Sequence, residues 1–291
     1  MSWRIVSVSS IAKLDYKMDY LVVRTREEVK RIHLSEISIL LLESTAISLT
    51  AYLLCELNRR KIDVIFCDEK RCPYGMLSSL YGSHDTSLKY RKQAAWSDET
   101  KKLVWKEIIR AKINGQIFNL PEEKSKERDL LRQYTREVRP GDASNREGHA
   151  AKVYFNALFG MDFTRGGESN INSALNYGYG ILLSCTAREI VANGYCTQFG
   201  VFHDNMFNDF NLASDLMEPF RPFIDQAVLA LPHEEFTHEE KMELVRAFNR
   251  QVCIDGQVQY MLNAIRVYVK SVLNAMEKGD ASLIRFPAYE F

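Results

Sequence analysis

Two short segments of this 291-residue chain bring together acidic, imidazole and small side chains. In the first segment, Glu147 follows Ser144 and Asn145, either of which can cap the start of a helix. The helix dipole favours a carboxylate in the first turn, so a purely structural role would account for Glu147. The small residues Gly148 and Ala150 beside it would also let a helix or a substrate backbone approach the carboxylate. Glu147 is therefore a candidate for either role.

The second segment combines a histidine, two acids and two prolines. His203 follows an aromatic loop, and Asp215 and Glu218 are three residues apart, a spacing that predicts one helix face for both acids. Two like charges at this spacing repel each other by a few tenths of a kcal/mol. The pair therefore suits a solvated face, an ion pair with Arg221 or a metal site. The neighbouring prolines predict a local break that aims Glu218 and Arg221 into a cleft.

The elements that must position these groups change their periodicity near residue 75. Short runs rich in β-branched and aromatic residues predict strands at 3–8, 13–16, 20–25, 29–33, 37–42 and 63–66. One helix interrupts them at 48–58, with Ser48 as its cap. Helical patterns follow at 99–119, 122–137, 146–159, 171–192, 208–229 and 238–278, the last broken near 255–256. The predicted fold is α+β, with a small β-rich domain at residues 1–76 and a larger all-α domain at residues 77–291.

The charged residues are distributed unevenly, although 38 Lys+Arg balance 38 Asp+Glu. Residues 1–152 carry 28 basic and 21 acidic side chains, a net charge of +7, which leaves −7 for residues 153–291. The basic residues could form a phosphate-binding surface, and the acids of the second part could hold cations. Two solvated faces of opposite sign are the alternative. The basic blocks are Arg59-Arg60-Lys61, Lys70-Arg71, Lys89-Tyr90-Arg91-Lys92 and Lys101-Lys102.

The overall composition is that of a folded protein, with 46% hydrophobic and 26% charged residues. The longest apolar stretches fall well below the roughly 18 residues of a membrane span, and the first ten residues lack an apolar signal core. We therefore expect a cytoplasmic protein that does not enter a membrane. Six cysteines stand singly, and only Cys67 and Cys72 approach a metal spacing, so reduced core thiols are expected instead of a zinc site.

A set of distinctive motifs is formed by Trp3 and Arg4 and by the segments 35–43, 65–68, 144–152, 198–203 and 214–222. Together these motifs resemble the integrase subunit of CRISPR adaptation, CRISPR-associated protein one. The resemblance extends over nearly the whole chain, and the motifs are similar to those of the type II branch, the systems whose effector is a single RNA-guided nuclease.

The resemblance implies a catalytic and metal-binding set made of one Glu, one His and a second acid. The matching positions are Glu147, His203 and Glu218, with Asp215 expected to act behind them. The family also implies a homodimer, two copies of which are held by the small ferredoxin-like subunit, CRISPR-associated protein two. Other type II adaptation proteins are further expected partners, and double-stranded DNA, as prespacer and CRISPR repeat, is the expected substrate.

The donor types of this set indicate which metal and reaction to expect. Carboxylates and an imidazole without thiolates suit Mg²⁺ or Mn²⁺. Such an ion can activate a DNA 3′-hydroxyl for transesterification, which would insert short foreign-DNA duplexes into the repeat array. No nucleotide cofactor is expected, and the sequence has no Walker-type loop. Arg146 and Lys152 could neutralise phosphate charge, ordinary helix pairing being the alternative. Further candidates for DNA contact are Arg59, Arg60, Lys61, Lys89, Arg91 and Lys92.

Two other functions are compatible with parts of this pattern. A metal-dependent nuclease acting on branched or free DNA would use the same residues, with water in place of the 3′-hydroxyl. A non-catalytic DNA-binding scaffold would use only the basic excess of residues 1–152. Paired acids beside DNA phosphates are repulsive and argue against the scaffold.

Overall fold

A computed structural model of the chain describes residues 4–80 and 83–289. The chain divides into two compact units, Met1–Gly82 and Ser83–Phe291. The sequence prediction placed the boundary after residue 76, whereas this division falls after residue 82. Trp3, one of the residues that carry the resemblance, lies outside the described residues.

Within residues 4–80, the first unit contains two four-stranded sheets, one α-helix and a short 3₁₀ helix, Leu34–Glu36. Its elements are β1 (Arg4–Val8), β2 (Ala12–Lys17), β3 (Tyr20–Arg24), β4 (Val29–His33), β5 (Ile37–Leu42), β6 (Ile47–Leu49), α1 (Ala51–Arg59), β7 (Asp63–Cys67) and β8 (Pro73–Met76). One sheet has the order β4-β3-β2-β6, and the other has the order β1-β5-β7-β8. In the second sheet β1, β5 and β7 are parallel, and β8 is antiparallel to β7.

The apolar run of β5 explains its central place. All six of its residues are buried between β1 and β7, as expected of a strand covered on both faces. Helix α1 begins after Thr50, whose side chain accepts the Leu53 N–H, and buries Leu53 and Leu57 in the core of this unit. The cap predicted at Ser48 was wrong, because Ile47–Leu49 pairs with β2 as a strand.

The second unit is mainly helical. Its helices are α2 (Thr86–Ala94), α3 (Asp98–Asn119), α4 (Ser125–Glu137), α5 (Arg146–Phe159), α6 (Asn170–Ala192), α7 (Asn211–Leu216), α8 (Arg221–Leu229), α9 (His238–Ala247) and α10 (Met261–Lys278). It also contains a three-stranded sheet of β9 (Gln251–Ile254), β10 (Gln257–Tyr260) and β11 (Pro287–Ala288), in the order β10-β9-β11. The predicted α+β class is confirmed.

The small sheet corrects the predicted all-α character of the second domain and the predicted helix at 238–278. Asp255 and Gly256 both have positive φ, of 53° and 71°, and Ile254 pairs with Gln257. Two residues of this conformation form the tight turn of a β-hairpin, for which Asp-Gly is a favoured pair. The dipeptide is therefore a hairpin turn between two strands, where the sequence analysis expected a break within a helix.

Helix α3 is the central element of the second unit. It packs against α4, α5, α8 and α10. Its buried side is largely apolar and includes Trp105 and Ile109, but Lys112 and Gln116 are also buried. A lysine in such a position needs a specific partner. No helix among the described residues is long and apolar enough to cross a membrane.

Candidate active site

Glu147 is held in the first turn of α5 by two capping side chains. Asn145 has a left-handed φ of 50°, and its side chain accepts the Gly148 N–H at 3.3 Å. The buried Asp142 carboxylate accepts the N–H groups of Arg146 and Glu147, each at 2.9 Å. The predicted cap at Asn145 is confirmed, whereas Asp142 was missed. Together the caps fix the position of the Glu147 carboxylate, which is 22% exposed.

Glu218 lies in a 3₁₀ turn, Glu218–Phe220, between α7 and α8. Helix α7 ends at Leu216, and Pro219 has no N–H to bond back to the carbonyl of residue 215, whereas Pro222 lies in the first turn of α8, where its missing N–H is tolerated. The break predicted from the two prolines is therefore confirmed, and it divides the predicted helix at 208–229, so that Asp215 and Glu218 do not lie on one helix. The Glu218 side chain is only 3% exposed and turns toward two cations.

Lys112 of α3 connects the two glutamates. Its ammonium donates to Glu147 Oε1 at 2.7 Å and lies 2.5 Å from Glu218 Oε2. Arg221 pairs with the other oxygen of Glu218, with Nε at 2.8 Å from Oε1. The carboxylates of Glu147 and Glu218, 71 residues apart in the chain, thus meet at one ammonium group. Sequence analysis missed Lys112, although a lysine within an apolar helical stripe was a detectable signal.

His203 is oriented by Asp215. The His203 Nδ1 lies 2.5 Å from Asp215 Oδ1, and Asp215 Oδ2 accepts the N–H groups of Val201 and Phe202 at 2.6 and 2.8 Å. Asp215 is fully buried, while the His203 side chain is 42% exposed. Because Nδ1 is engaged by Asp215, Nε2 is the ring nitrogen left to bind another group. Asp215 therefore supports His203 from the side of Nδ1.

Aromatic contacts hold the loop that carries His203. The Phe202 ring stacks on the buried Trp105 of α3, with centroids 4.5 Å apart. The His203 ring lies nearly perpendicular to the rings of Trp105 and Phe202, with centroid distances of 5.8 and 5.5 Å. Helix α3 therefore contacts both the His203 loop and the acid pair.

The electrostatics of the site follow from burial and these partners. The Asp215 hydrogen bond raises the pKa of His203, and the charges of Glu218 and Glu147 add to this effect. Burial alone would raise the pKa of Glu218, but the charges of Arg221 and Lys112 outweigh it and hold that pKa below its usual value. Burial would lower the pKa of Lys112, but the two glutamates raise it. Both glutamates are thus matched by positive charge.

A layer of buried polar groups supports Arg221. Its guanidinium carbon lies 4.4 Å from the centroid of the Tyr179 ring. The hydroxyls of Tyr179 and Tyr154 donate to Asp225, and burial raises the pKa of Asp225 to about 6. This layer fixes Arg221 and thereby the Glu218 carboxylate.

The C-terminal segment also supports the turn that carries Glu218. The Tyr289 hydroxyl donates to the Pro219 carbonyl at 2.5 Å, and its ring stacks on Phe223 with centroids 5.0 Å apart. A Cβ at Gly115 of α3 would lie 2.5 Å from the Tyr289 ring. Gly115 therefore provides the space that Tyr289 occupies.

Three of the residues proposed for DNA contact, Arg59, Arg60 and Lys61, lie at the end of α1. Both arginines pair with Glu56, whose side chain is 5% exposed, and Arg60 also pairs with Asp19. Lys61 has a left-handed φ of 57° just beyond the helix. The arginines therefore stabilise the helix end, and their contact with DNA stays a prediction.

The other residues proposed for DNA contact lie on two helices of the second unit: Lys89, Arg91, Lys92, Arg146 and Lys152. Lys89 donates to the Asn193 carbonyl at 2.8 Å, and Arg146 pairs with Glu137 at 2.8 Å. Partners within the unit thus hold these two side chains. Lys92 is exposed but lies 3.4 Å from Glu277 Oε1, and Arg91 and Lys152 are also exposed. The ion pair with Glu137 favours the structural interpretation of Arg146 over neutralisation of phosphate charge.

The donor groups of the site fit a divalent cation, although Lys112 now lies between them. Among residues 4–80 and 83–289, no three His, Cys, Asp or Glu side chains are arranged to hold a metal ion. Two carboxylates and one imidazole nevertheless form a donor set suited to Mg²⁺ or Mn²⁺. The Lys112 ammonium contacts one oxygen of each carboxylate, Glu147 Oε1 and Glu218 Oε2. Glu147, His203 and Glu218 could therefore hold a cation once that ammonium moves aside.

Comparison with known proteins gives a consistent result. A family model described as CRISPR associated protein Cas1 matches residues 6–247. A relative named CRISPR-associated endonuclease Cas1, from Neisseria meningitidis serogroup C (strain 8013), is 33% identical over 297 residues, covering 99% of this chain and 96% of the relative. A solved structure described as casposase bound to integration product has a TM-score of 0.75 at 19% identity, covering 96% of this chain and 91% of that chain. A chain of a Cas6-RT-Cas1–Cas2 complex has a TM-score of 0.76 at 16% identity, covering 97% of this chain and 36% of that chain.

Proposed function

Because the chain belongs to the Cas1 family, we propose that it is a divalent-metal-dependent DNA integrase. It would join the 3′-hydroxyl ends of short foreign-DNA duplexes to a CRISPR repeat by transesterification. Family membership confirms the resemblance found in the sequence. The observation that supports the proposed chemistry is that Glu147 and Glu218 meet at one ammonium group and that their charges help to raise the pKa of His203.

Each residue of the proposed metal site has a separate role. Glu147 and Glu218 provide carboxylate oxygens, and His203 provides Nε2 in an orientation set by Asp215. A bound Mg²⁺ or Mn²⁺ ion would supply a Lewis acid that activates the 3′-hydroxyl and polarises the phosphodiester. Arg221 holds Glu218 in place and keeps it ionised, so that this oxygen donor is available at neutral pH.

We propose double-stranded DNA and the small Cas2 subunit as partners. Two solved structures with this fold support the proposal, since their descriptions name an integration product and a Cas1–Cas2 complex. A homodimer and an association with type II adaptation proteins are the further proposals. We assign the contact between the two copies to the edge strands of the first unit, because unpaired strand edges favour pairing with another chain.

A metal-dependent endonuclease is the second candidate function. The Neisseria relative is named an endonuclease, and hydrolysis would use the same acids and histidine with water as the nucleophile. A scaffold without catalysis is disfavoured, because it has no use for two buried or half-buried acids beside DNA phosphates.

An assay with two versions of one DNA duplex separates these functions. Labelled duplexes with 3′-hydroxyl or 3′-deoxy ends would be incubated with a repeat-containing plasmid, the protein, its small partner and Mn²⁺. An integrase gives joined products only with the 3′-hydroxyl duplex, whereas a nuclease cuts both versions equally. The exposed Asp129 of α4, changed to Asn, is a matched control that should retain wild-type activity. Metal-independent joining, or cutting without joining, would contradict the proposal.

A further inference from the structure

We propose that Lys112 is a built-in counter-cation, which holds Glu147 and Glu218 together in the metal-free protein and competes with a divalent cation for them. The inference rests on the proposed function, because it assumes that these glutamates bind the metal. It goes further by assigning a role to a residue outside the metal-ligand set.

The first argument is the position of the ammonium group. It lies 2.7 Å from Glu147 Oε1 and 2.5 Å from Glu218 Oε2, so it is in contact with both expected ligands at once. Mg²⁺ binds carboxylate oxygens at about 2.0–2.1 Å. An ion held by the same two oxygens would therefore compete with the ammonium for its position. If both cations stayed beside these oxygens, they would repel each other strongly.

The second argument is the charge balance. In this structure the two glutamates face two cations, Lys112 and Arg221, so these four charges cancel. A divalent cation would add two positive charges to this balanced group in a largely buried environment. Excess charge in such an environment is costly, so one cation must withdraw. Lys112 is the one that contacts both ligands.

The third argument is the burial of Glu218 between two cations. Its side chain is 3% exposed, with Lys112 Nζ at 2.5 Å from Oε2 and Arg221 Nε at 2.8 Å from Oε1. Because Arg221 contacts the other oxygen, Glu218 would keep one counter-charge when the Lys112 ammonium leaves Oε2.

Displacement would require only a side-chain movement. Helix α3 is packed on several sides by α4, α5, α8 and α10, so its backbone is fixed. The lysine side chain has four rotatable bonds, so the ammonium can leave the two carboxylates by rotation of the side chain alone. The metal can therefore exchange with the ammonium without refolding.

Mn²⁺ binding to variants of the intact protein tests this inference. Calorimetric titrations at about pH 8 would compare the wild type with Lys112→Met, Lys112→Arg and Glu218→Gln. Because Lys112→Met removes the competitor, it should bind Mn²⁺ at least about tenfold more tightly, a difference of about 1.4 kcal/mol. In the presence of chelator it should melt at a lower temperature than the wild type, and Mn²⁺ should restore the loss. Lys241, another buried lysine, provides the control: Lys241→Met should bind Mn²⁺ as the wild type does.

The outcomes separate this inference from the proposed function. Glu218-dependent Mn²⁺ binding that is unchanged or weaker in Lys112→Met would overturn the role of Lys112 alone. Absence of Mn²⁺ binding in both the wild type and Lys112→Met would overturn the metal-dependent function. If Lys112→Met does not fold, Lys112→Arg tests the role of Lys112 instead. The arginine guanidinium pairs more firmly with carboxylates than an ammonium does, so this variant should bind Mn²⁺ more weakly than the wild type. Tighter or equal binding by Lys112→Arg would contradict the inference.

Discussion

Replacing Gly200 by alanine tests whether the loop that carries His203 must keep its shape for catalysis. An added Cβ would lie 2.2 Å from the His203 carbonyl oxygen, 2.8 Å from an Asp215 carboxylate oxygen and 3.2 Å from the Asn211 Cβ. Ordinary carbon–oxygen contacts begin at about 3.3 Å, so the loop must shift by about 1 Å. The nearest atom is backbone, and rotation of a side chain cannot relieve this contact.

Both stability and activity should respond to this shift. Overpacking of this kind costs about 1–3 kcal/mol, and each kcal/mol lowers Tm by about 2–4 °C in a unit of this size. A displacement of about 1 Å in a catalytic group can reduce the rate about 100-fold. We therefore expect Gly200→Ala to stay folded at 25 °C but to join DNA about 100-fold more slowly.

The assay pairs joining rates with thermal melts, and Gly166→Ala is the matched control. A Cβ at Gly166 would meet no heavy atom within 4 Å, so this variant should keep both its Tm and its joining rate. Wild-type joining by Gly200→Ala would refute the argument that the backbone at residues 200–203 positions His203. A loss of activity that merely follows unfolding would appear as a melt below the assay temperature.

The remaining predictions concern the site residues, pH and salt. Glu147→Gln, His203→Ala and Glu218→Gln should each abolish joining in the plasmid assay while the far-UV circular dichroism stays that of the wild type; full joining would remove that residue from the metal-binding set. Asp215→Asn should lower joining about 10- to 100-fold, because it weakens the orientation of a metal-binding histidine. The Asp215 bond raises the pKa of His203 above 6.5, so this pair contributes its full stability below about pH 6.5 and loses it as pH rises through the raised pKa. Urea melts of the wild type and Asp215→Asn should therefore converge as pH rises. DNA affinity should fall steeply between about 50 and 200 mM salt, by a factor of roughly 10³ to 10⁵ if 6 to 10 phosphates are contacted. Fluorescence anisotropy measures this affinity. An affinity that does not change with salt would mean that the basic residues form a solvated face and do not bind DNA phosphates.

The sequence predicted best those elements whose apolar residues follow one clear pattern. The continuous apolar run at 37–42 became the buried strand β5, and the long helical pattern at 99–119 became α3. The hairpin at 251–260 was missed, because it lies between two strong helical patterns and its Asp-Gly turn was interpreted as a break within one helix. An alternation of apolar and polar residues over only four positions is too short to indicate a strand when strong helical patterns flank it.

The candidate site was also predicted only in part from the sequence. Residues that match a family segment, such as Glu147 and His203, could be identified in the sequence. Lys112 and Asp142 could not be assigned a partner, because their roles depend on contacts between distant parts of the chain. Lys112 contacts residues 35 and 106 positions away, and no periodicity within α3 shows which acids it meets. Its place in an apolar stripe indicated only that some partner must exist.

Helix α3 explains why these distant residues form one site. Trp105 and Lys112 are seven residues apart, which is two helical turns, so their side chains project from the same face about 10 Å apart. Trp105 contacts the His203 loop through Phe202, and Lys112 contacts the two glutamates. The spacing between the imidazole and the carboxylates therefore depends on a rigid helix that is packed within the core. Helix α3 also packs directly against α5 and against the turn at Glu218, so the Lys112 ammonium adds a charge contact between elements that packing already holds at the site.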